Sequence, residues 1–283
     1  MPTVTQVVGA LPSEPAPFGL LTSAEPVRDS SDRWAGGFSY ETTLCSAAVV
    51  LTDVCNPTTT VDIWRPGANL RRSFDYVPFV VRVEDSCSTF GFTAADRQER
   101  VLARLETCTQ KAVEYEFWTG ELAQAAGSTD NRFLASSSSS DLTPSGTAVK
   151  VKHGLAILEQ ALADCGCGTA GVIHARRDVA SALGASNKDG RLQTGLGNLL
   201  IAGVGYTGSG PAGEVASTSS SWIYATGPVS VRLGDPVLIT DRLNQTINTT
   251  NNDLIAVAER AAAVTWDGCC SFAVNVNLTL EYS

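Results

Sequence analysis

The stretch TAADRQERVLARLETCTQKAVEYEFWTGELAQAAG, residues 93–127, constrains this chain more than any other. Val101, Leu105, Cys108 and Ala112 recur at i, i+4, i+7 and i+11, which predicts one amphipathic helix. Thr93 followed by Asp96 resembles a capping box at its start, and Gly127 supplies its stop. At roughly 1.5 Å per residue the helix would exceed about 40 Å, longer than the usual globular helix. A chain with a rod of that length must lay the rest of itself along or beside it. Asp96 with Arg100 and Lys111 with Glu114 are expected on the outer face, each pair worth a few tenths of a kcal/mol, roughly ~0.2–0.5. Phe117 and Trp118 read as packing residues rather than a ligand cage.

What precedes the rod is poor in period. Residues 1 to about 35 are rich in Pro, Ser and acidic groups, which predicts an extended arm rather than part of a core. From Phe38 to Phe92 short apolar runs (TLCSAAVVL, VDIW, YVPFVVRV) alternate with turns at Asn56-Pro57 and Pro66-Gly67, the pattern of strands and long hairpins. Arg71-Arg72 falls on the return leg, as a solvated loop pair or as a charged contact with another subunit.

Residues 128–146 form a polar connector in which Ser136 to Ser140 carry too few apolar groups to pack. Beyond it the composition turns to Ala, Gly and Leu, which marks a domain boundary. Val151, Leu155, Leu158 and Leu162 predict a second amphipathic helix over 148–164, stopped at Cys165-Gly166. AGVIHA reads as a strand, RRDVASALGAS as a short helix ending at Gly184, and NLLIAGV, WIYATGPVSVRL and PVLIT as further strands. NDLIAVAERAAAVTWDG fits both helix and strand, whereas SFAVNVNLTLEY alternates cleanly with period two. The order predicts a mixed α+β chain.

Composition excludes several functions. The net charge is −9, only 17% of residues are charged, and no Lys/Arg run exceeds the pairs Arg71-Arg72 and Arg176-Arg177. Affinity for nucleic acid needs clustered cations that displace counterions, so DNA would not be gripped directly. No segment has the form of a signal peptide or the length of a membrane span, and the chain reads as one made and kept in a cytoplasm. The eight cysteines are then expected to be mostly reduced, buried hydrophobes. Cys165-Gly-Cys167 and Cys269-Cys270 lack the spacing of structural zinc pairs, and disulfides formed after leaving the cell remain open.

LLIAGVGYTGSGP, residues 199–211, spells G-x-G-x-x-G through Gly203, Gly205 and Gly208. A dinucleotide cradle requires a helix to open at the third glycine, because the free N–H groups of its first turn hold the pyrophosphate. SGPAGEVASTSSS follows instead, so a strand running into a flexible loop is expected. The two histidines suit no catalytic set: His153 should be solvated, and His174 should be a hydrogen-bonded core histidine. No catalytic, cofactor-binding or metal-ligating residue is expected, and the chain reads as no enzyme.

The order of elements, with YVPFVVRVEDSCSTFG, GVIHARRDVASAL, LGNLLIAGVGYTGSGP, WIYATGPVSVRLGD and ERAAAVTWDGCCSFAVNVNL, resembles the major capsid protein of tailed double-stranded DNA bacteriophages, the Hong Kong 97-type fold, in particular that of phages of actinobacteria. The resemblance covers most of residues 36–280. It implies an N-arm (1–35), an extended loop or E-loop with adjoining strands (36–92), a peripheral domain with a spine helix (93–147), an axial domain (148–240) and C-terminal strands returning to the main body (241–283). It tips NDLIAVAERAAAVTW toward strand. It implies self-assembly into hexamers and pentamers of an icosahedral virion shell, built in the bacterial host cytoplasm, enclosing the genome without specific binding and without a membrane. Scaffolding, portal and decoration proteins would be the other partners. Arg71, Arg72, Trp64 and Trp222 are the candidate inter-subunit contacts. The loop 208–221 would adapt between five-fold and six-fold neighbours.

Two departures from relatives follow. The only lysines are Lys111, Lys150, Lys152 and Lys188, so the E-loop has none for an isopeptide cross-link. The residues ahead of the long helix leave no room for an N-terminal scaffolding segment, so the expectation is either scaffolding from a separate protein or a sequence already in its mature form, the initial Met favouring the first. An encapsulin-type nanocompartment shares the fold and differs in its cargo, and a phage tail or decoration protein is the alternative from another class.

Overall fold

The computed structural model describes residues 14–24, 26–28, 31–42, 72–88, 94–128, 130–165, 170–239, 247–248 and 253–279. In chain order these form α1 (Leu20–Ser23), β1 (Val27–Arg28), a 3-10 turn (Asp32–Gly36), β2 (Phe38–Thr42), β3 (Arg72–Tyr76), β4 (Phe79–Ser88), α2 (Ala94–Thr119), α3 (Glu121–Ala125), β5 (Ser140–Asp141) and β6 (Val149–Lys150). The second half follows with α4 (Val151–Asp164), β7 (Val172–Arg176), α5 (Arg177–Leu183), β8 (Ser186–Lys188), β9 (Arg191–Gln193), β10 (Leu199–Gly203), β11 (Ser220–Thr226), β12 (Val229–Leu233), β13 (Val237–Ile239), β14 (Ile247–Asn248), β15 (Asp253–Trp266) and β16 (Ser271–Asn277).

The rod is real but shorter than its sequence pattern. α2 runs for 26 residues, about 39 Å at ~1.5 Å per residue. It stops at Gly120, whose φ of 59° is left-handed and where a Cβ would run into the Phe133 ring. The chain then restarts as α3, whose first N–H groups at Leu122 and Ala123 are capped by the Glu116 carboxylate at 2.9 and 3.0 Å. Thr93, the proposed cap, lies outside the described residues.

Two sheets flank this rod. The six-stranded sheet is built on β15, which pairs antiparallel with β4 along one edge and with β12, β13 and β14 along the other, β1 adding parallel to β12. The ambiguous NDLIAVAERAAAVTW is therefore strand: ladder pairing on both edges overrides the helix propensity of its alanines. The even-numbered residues Ala256, Ala258, Ala262 and Val264 meet Val101, Leu105 and Val113 of α2 in one core. The eight-stranded sheet runs β5-β16-β11-β7-β10-β9-β8, with β6 also on β16. β7 and β10 are parallel and α5 lies on the crossover between them, while α4 packs Val151, Leu158 and Leu162 against β11 and β16 in a second core.

WIYATGPVSVRL, which reads as one strand, is two. At Gly227-Pro228 the chain passes from the eight-stranded to the six-stranded sheet, and at Asp267–Cys270 it passes back. β11 pairs with β16 up to Thr226↔Ser271, and β12 pairs with β15 from Val229↔Trp266. Two residues on one side of this ladder thus face four on the other, a bulge that bends it from one sheet into the next. Asp267 N donates to Pro228 O (3.1 Å), Gly227 N to Cys270 O (3.3 Å) and Arg132 to Gly268 O (2.7 Å), so the backbone at the bend is paired.

Three further expectations are corrected. The described residues between 14 and 36 pack on the body: Leu20 is fully buried, and Trp34 packs on Tyr76 and Ala263. The serine connector is ordered, because Ser139 bonds Leu134 O and Ser271, and β5 adds to β16. Serine supplies its own hydrogen bonds there in place of apolar area. Cysteine is not uniformly reduced: Cys165, after α4, is disulfide-bonded to Cys270 at the sheet bend, with Cα atoms 6.0 Å apart.

Candidate functional site: the aromatic ribbon and the packed glycine loop

β2 and β3 form a two-stranded antiparallel ribbon apart from both sheets. Phe38, Tyr40, Phe74 and Tyr76 line it, with neighbouring ring centroids 5.7 to 6.4 Å apart. The Arg132 guanidinium lies 4.3 Å over Phe74, and Arg232 lies 5.5 Å from the Phe38 ring centre. A cleft of about 410 Å³ separates β2 from Ser230, Thr265 and Trp266, and another of about 380 Å³ separates β3 from Asp130 to Phe133. A ribbon of two strands is marginal by itself in water, so contacts beyond its own pair must hold it.

Of the four candidate contact residues, Trp64 and Arg71 lie outside the described residues, and Arg72 is placed by its backbone in β3. Trp222 is corrected: at 4% exposure it sits inside the subunit's own core beneath Gly210, with almost no area left for a neighbour. The exposed large apolar side chains include Leu122, Leu196, Val215, Val237 and Val80. Leu196 stands at the tip of a turn tied by Thr194 N to Asn198 O (2.9 Å) and Gly197 N to Thr194 O (3.0 Å).

The glycine-rich segment opens no helix after Gly208, and residues 199–203 are strand. Its first part is nevertheless no flexible loop. A Cβ on Gly205 would strike the Lys111 carbonyl of α2, and one on Gly210 would strike Trp222. Ser209 O accepts from Trp118 Nε1 (3.2 Å) and from the Tyr224 hydroxyl (2.9 Å). These glycines let backbone approach helix and ring closely, the use of glycine that the nucleotide motif shares.

His174 is fully buried, with Tyr206 Oη 3.0 Å from Nδ1 and Thr226 Oγ1 2.9 Å from Nε2. Burial pushes its pKa down to about 3, so it is a neutral core group. His153 is exposed on α4. Among the described residues no group of three or more His, Cys, Asp or Glu side chains could hold a metal, and no helix is long and apolar enough to cross a membrane.

The buried charges are what sequence spacing missed. Glu114, expected on the outer face with Lys111, is fully buried and accepts from Leu20 N (2.7 Å) and Gly205 N (2.8 Å). Arg260 is buried in β15 and forms a bidentate pair with the half-exposed Glu106 of α2. Arg100 pairs with Asp85 at 2.8 Å. The adjacency of Phe117 and Trp118 was the available signal: two large apolar residues about 100° apart require neighbours on more than one face of the helix.

No protein-family model and no curated protein matches the chain. Solved structures do. The capsid of an empty GTA particle superposes with a TM-score of 0.56 at 10% identity, over 97% of this chain and 94% of that one. A structure from Microbacterium phage Oxtober96 gives 0.55 at 13% identity, over 96% and 94%. One from Mycobacterium phage Ogopogo gives 0.53 at 13% identity, over 96% of each. At such identities it is the fold that is shared, and the chain has the mixed α+β Hong Kong 97-type capsid fold that its sequence motifs resemble.

Proposed function

We propose that this chain is a major capsid subunit of a tailed phage, assembling into hexamers and pentamers of an icosahedral shell around packaged double-stranded DNA. The observation that carries the reading is the end-to-end likeness to a GTA capsid subunit, over 97% of this chain and 94% of that one. In this reading α2 is the spine helix of a peripheral domain, the ribbon is the stem of the E-loop, and the eight-stranded sheet with α4 and α5 is the axial domain. The ribbon supports it physically: its rings pack inward on Trp34 and Ala263, while the polar face of Ser39, Glu41, Ser73 and Asp75 and the clefts beside both strands offer area to a neighbour. Leu196 and Val215, held out at loop tips, suit the centre of a capsomer. Arg71, Arg72 and Trp64 remain proposed contacts on the E-loop.

The mechanism is interfacial: modest contacts, repeated by symmetry over a closed surface, hold the particle. Net charge of −9 suits a container that does not grip its contents. Assembly in a bacterial cytoplasm, with separate scaffolding, portal and decoration partners, belongs to the same proposal. Electron microscopy of the chain expressed alone and of native particles tests it. Closed shells or capsomers with five-fold and six-fold outlines are expected, with nuclease-resistant DNA in the native particles. A discrete monomer or dimer in both samples would overturn it.

A further inference from the structure

Glu114 is a carboxylate with no part in the proposed assembly. It is sealed from water, and its two oxygens reach two distant segments: Oε1 accepts from Leu20 N at the start of α1, Oε2 from Gly205 N in the turn after β10. The segment Ala16–Ser23 lies over it as a cover. Gln110, one turn earlier on α2, donates to Ala16 O (3.0 Å), Arg177 of α5 donates to Pro17 O (3.0 Å), and Ala202 N donates to Phe18 O (2.8 Å). The fit is close, because a Cβ on Gly19 would collide with Gln110 and Glu114. It is also forced: Phe18 has φ of 63°, a left-handed conformation unfavourable for a bulky residue. Docking contacts therefore hold this cover against its own backbone preference.

We propose that Ala16–Ser23 is a proton-coupled strap, closed most firmly over a neutral Glu114 and loosened when that carboxyl gives up its proton. Closed, the carboxylate is out of water; open, it is hydrated, and hydration favours the charged form. The proton leaves to solvent on opening and is taken back on closing. Facing Glu114, Arg177 from α5 attracts the negative charge, and the buried Tyr206 from the turn feels it. The strap itself, Ala16 to Ser23, has no titratable side chain. Arg177 spends its hydrogen bonds on Pro17 O and Ala202 O, so Glu114 has backbone N–H groups for partners and its burial still outweighs them, raising its pKa.

Hydrogen exchange of the full chain, read by mass spectrometry at about pH 5 and about pH 8 with intrinsic rates divided out, tests this. Peptides spanning Ala16–Ser23 and Gly205 should be protected about tenfold more at the lower pH. A peptide from α4 should not follow them. Glu114→Gln should remove the pH dependence, and Gln110→Ala should weaken protection equally at both pH values while leaving the dependence in place. Equal or lower wild-type protection at about pH 5, or a Glu114→Gln chain that keeps the wild-type dependence, would overturn the strap. Should Glu114→Gln fail to fold, the wild type and Gln110→Ala decide alone. None of these readings requires a shell.

Discussion

The two sheets solve the same problem in different ways. Around the six-stranded sheet polar groups are handled as ions: Arg260 with Glu106, Arg100 with Asp85, Arg82 with Glu84 and Glu259. In the eight-stranded sheet the fully buried titratable group His174 is neutral, between Tyr206 and Thr226, the Arg176–Asp178 ion pair stays at the half-exposed end of β7, and a disulfide does the fastening. The difference follows from what covers each sheet. A charged helix such as α2 brings carboxylates and guanidinium groups to the sheet it crosses, whereas α4 and α5 bring mostly apolar side chains. The two regions are joined by aromatic rings at the end of α2: Phe117 meets His174 and Trp266 edge-on at 5.2 Å, and Trp118 meets Tyr224 at 4.9 Å.

That junction is where the contrast can be broken most severely. Phe117→Ala should cost ~3–5 kcal/mol in urea unfolding, and both sheets should lose stability in a single transition. Two separated transitions would show the sheets to be independent. Cys270→Ser should cost about 2–4 kcal/mol, because the bond closes a loop spanning 105 residues. Glu106→Gln should cost ~2 kcal/mol, below the ~3–5 of a sealed pair because Glu106 is half exposed. Arg260 holds the Glu106 carboxyl below the usual carboxylate range, so this contribution is present at neutral pH and fades as pH falls through the folded pKa.

The neutral region should respond to acid by another route. His174 titrates near 6.5 when unfolded and about 3 when folded. Its folded form refuses the proton, so stability should fall by about 1.4 kcal/mol per pH unit below 6.5, until the folded pKa is reached. His174→Asn should remove that slope from a pH series of unfolding midpoints. The smallest effect belongs to the surface: Glu84→Ala, in an exposed pair with Arg82, should shift stability by less than ~0.5 kcal/mol.

Sequence pattern carried the elements whose causes are local. α2, α4, α5 and the alternating strand β16 are legible because apolar period and glycine stops sit within a few residues of each other. The sheet bend was half legible, since Gly227-Pro228 punctuates WIYATGPVSVRL, but nothing local says that the halves join different sheets. Glu114 was read wrongly because its partners are backbone N–H groups 94 and 91 residues away. Cys165 and Cys270 were undecidable for the same reason: pairing is a property of the fold. The ordering of the serine connector likewise depended on strands from the other end of the chain.

The bend at Gly227-Pro228 and Asp267–Cys270 also has a mechanical meaning. Because one ladder passes through both sheets and its two crossings are bonded to each other, the layers cannot slide past one another without tearing paired backbone. Load applied to one sheet is handed to the other across a few residues rather than absorbed between them. The subunit should therefore deform as a single stiff plate, and in any assembly built from it curvature would be taken up at the seams between plates.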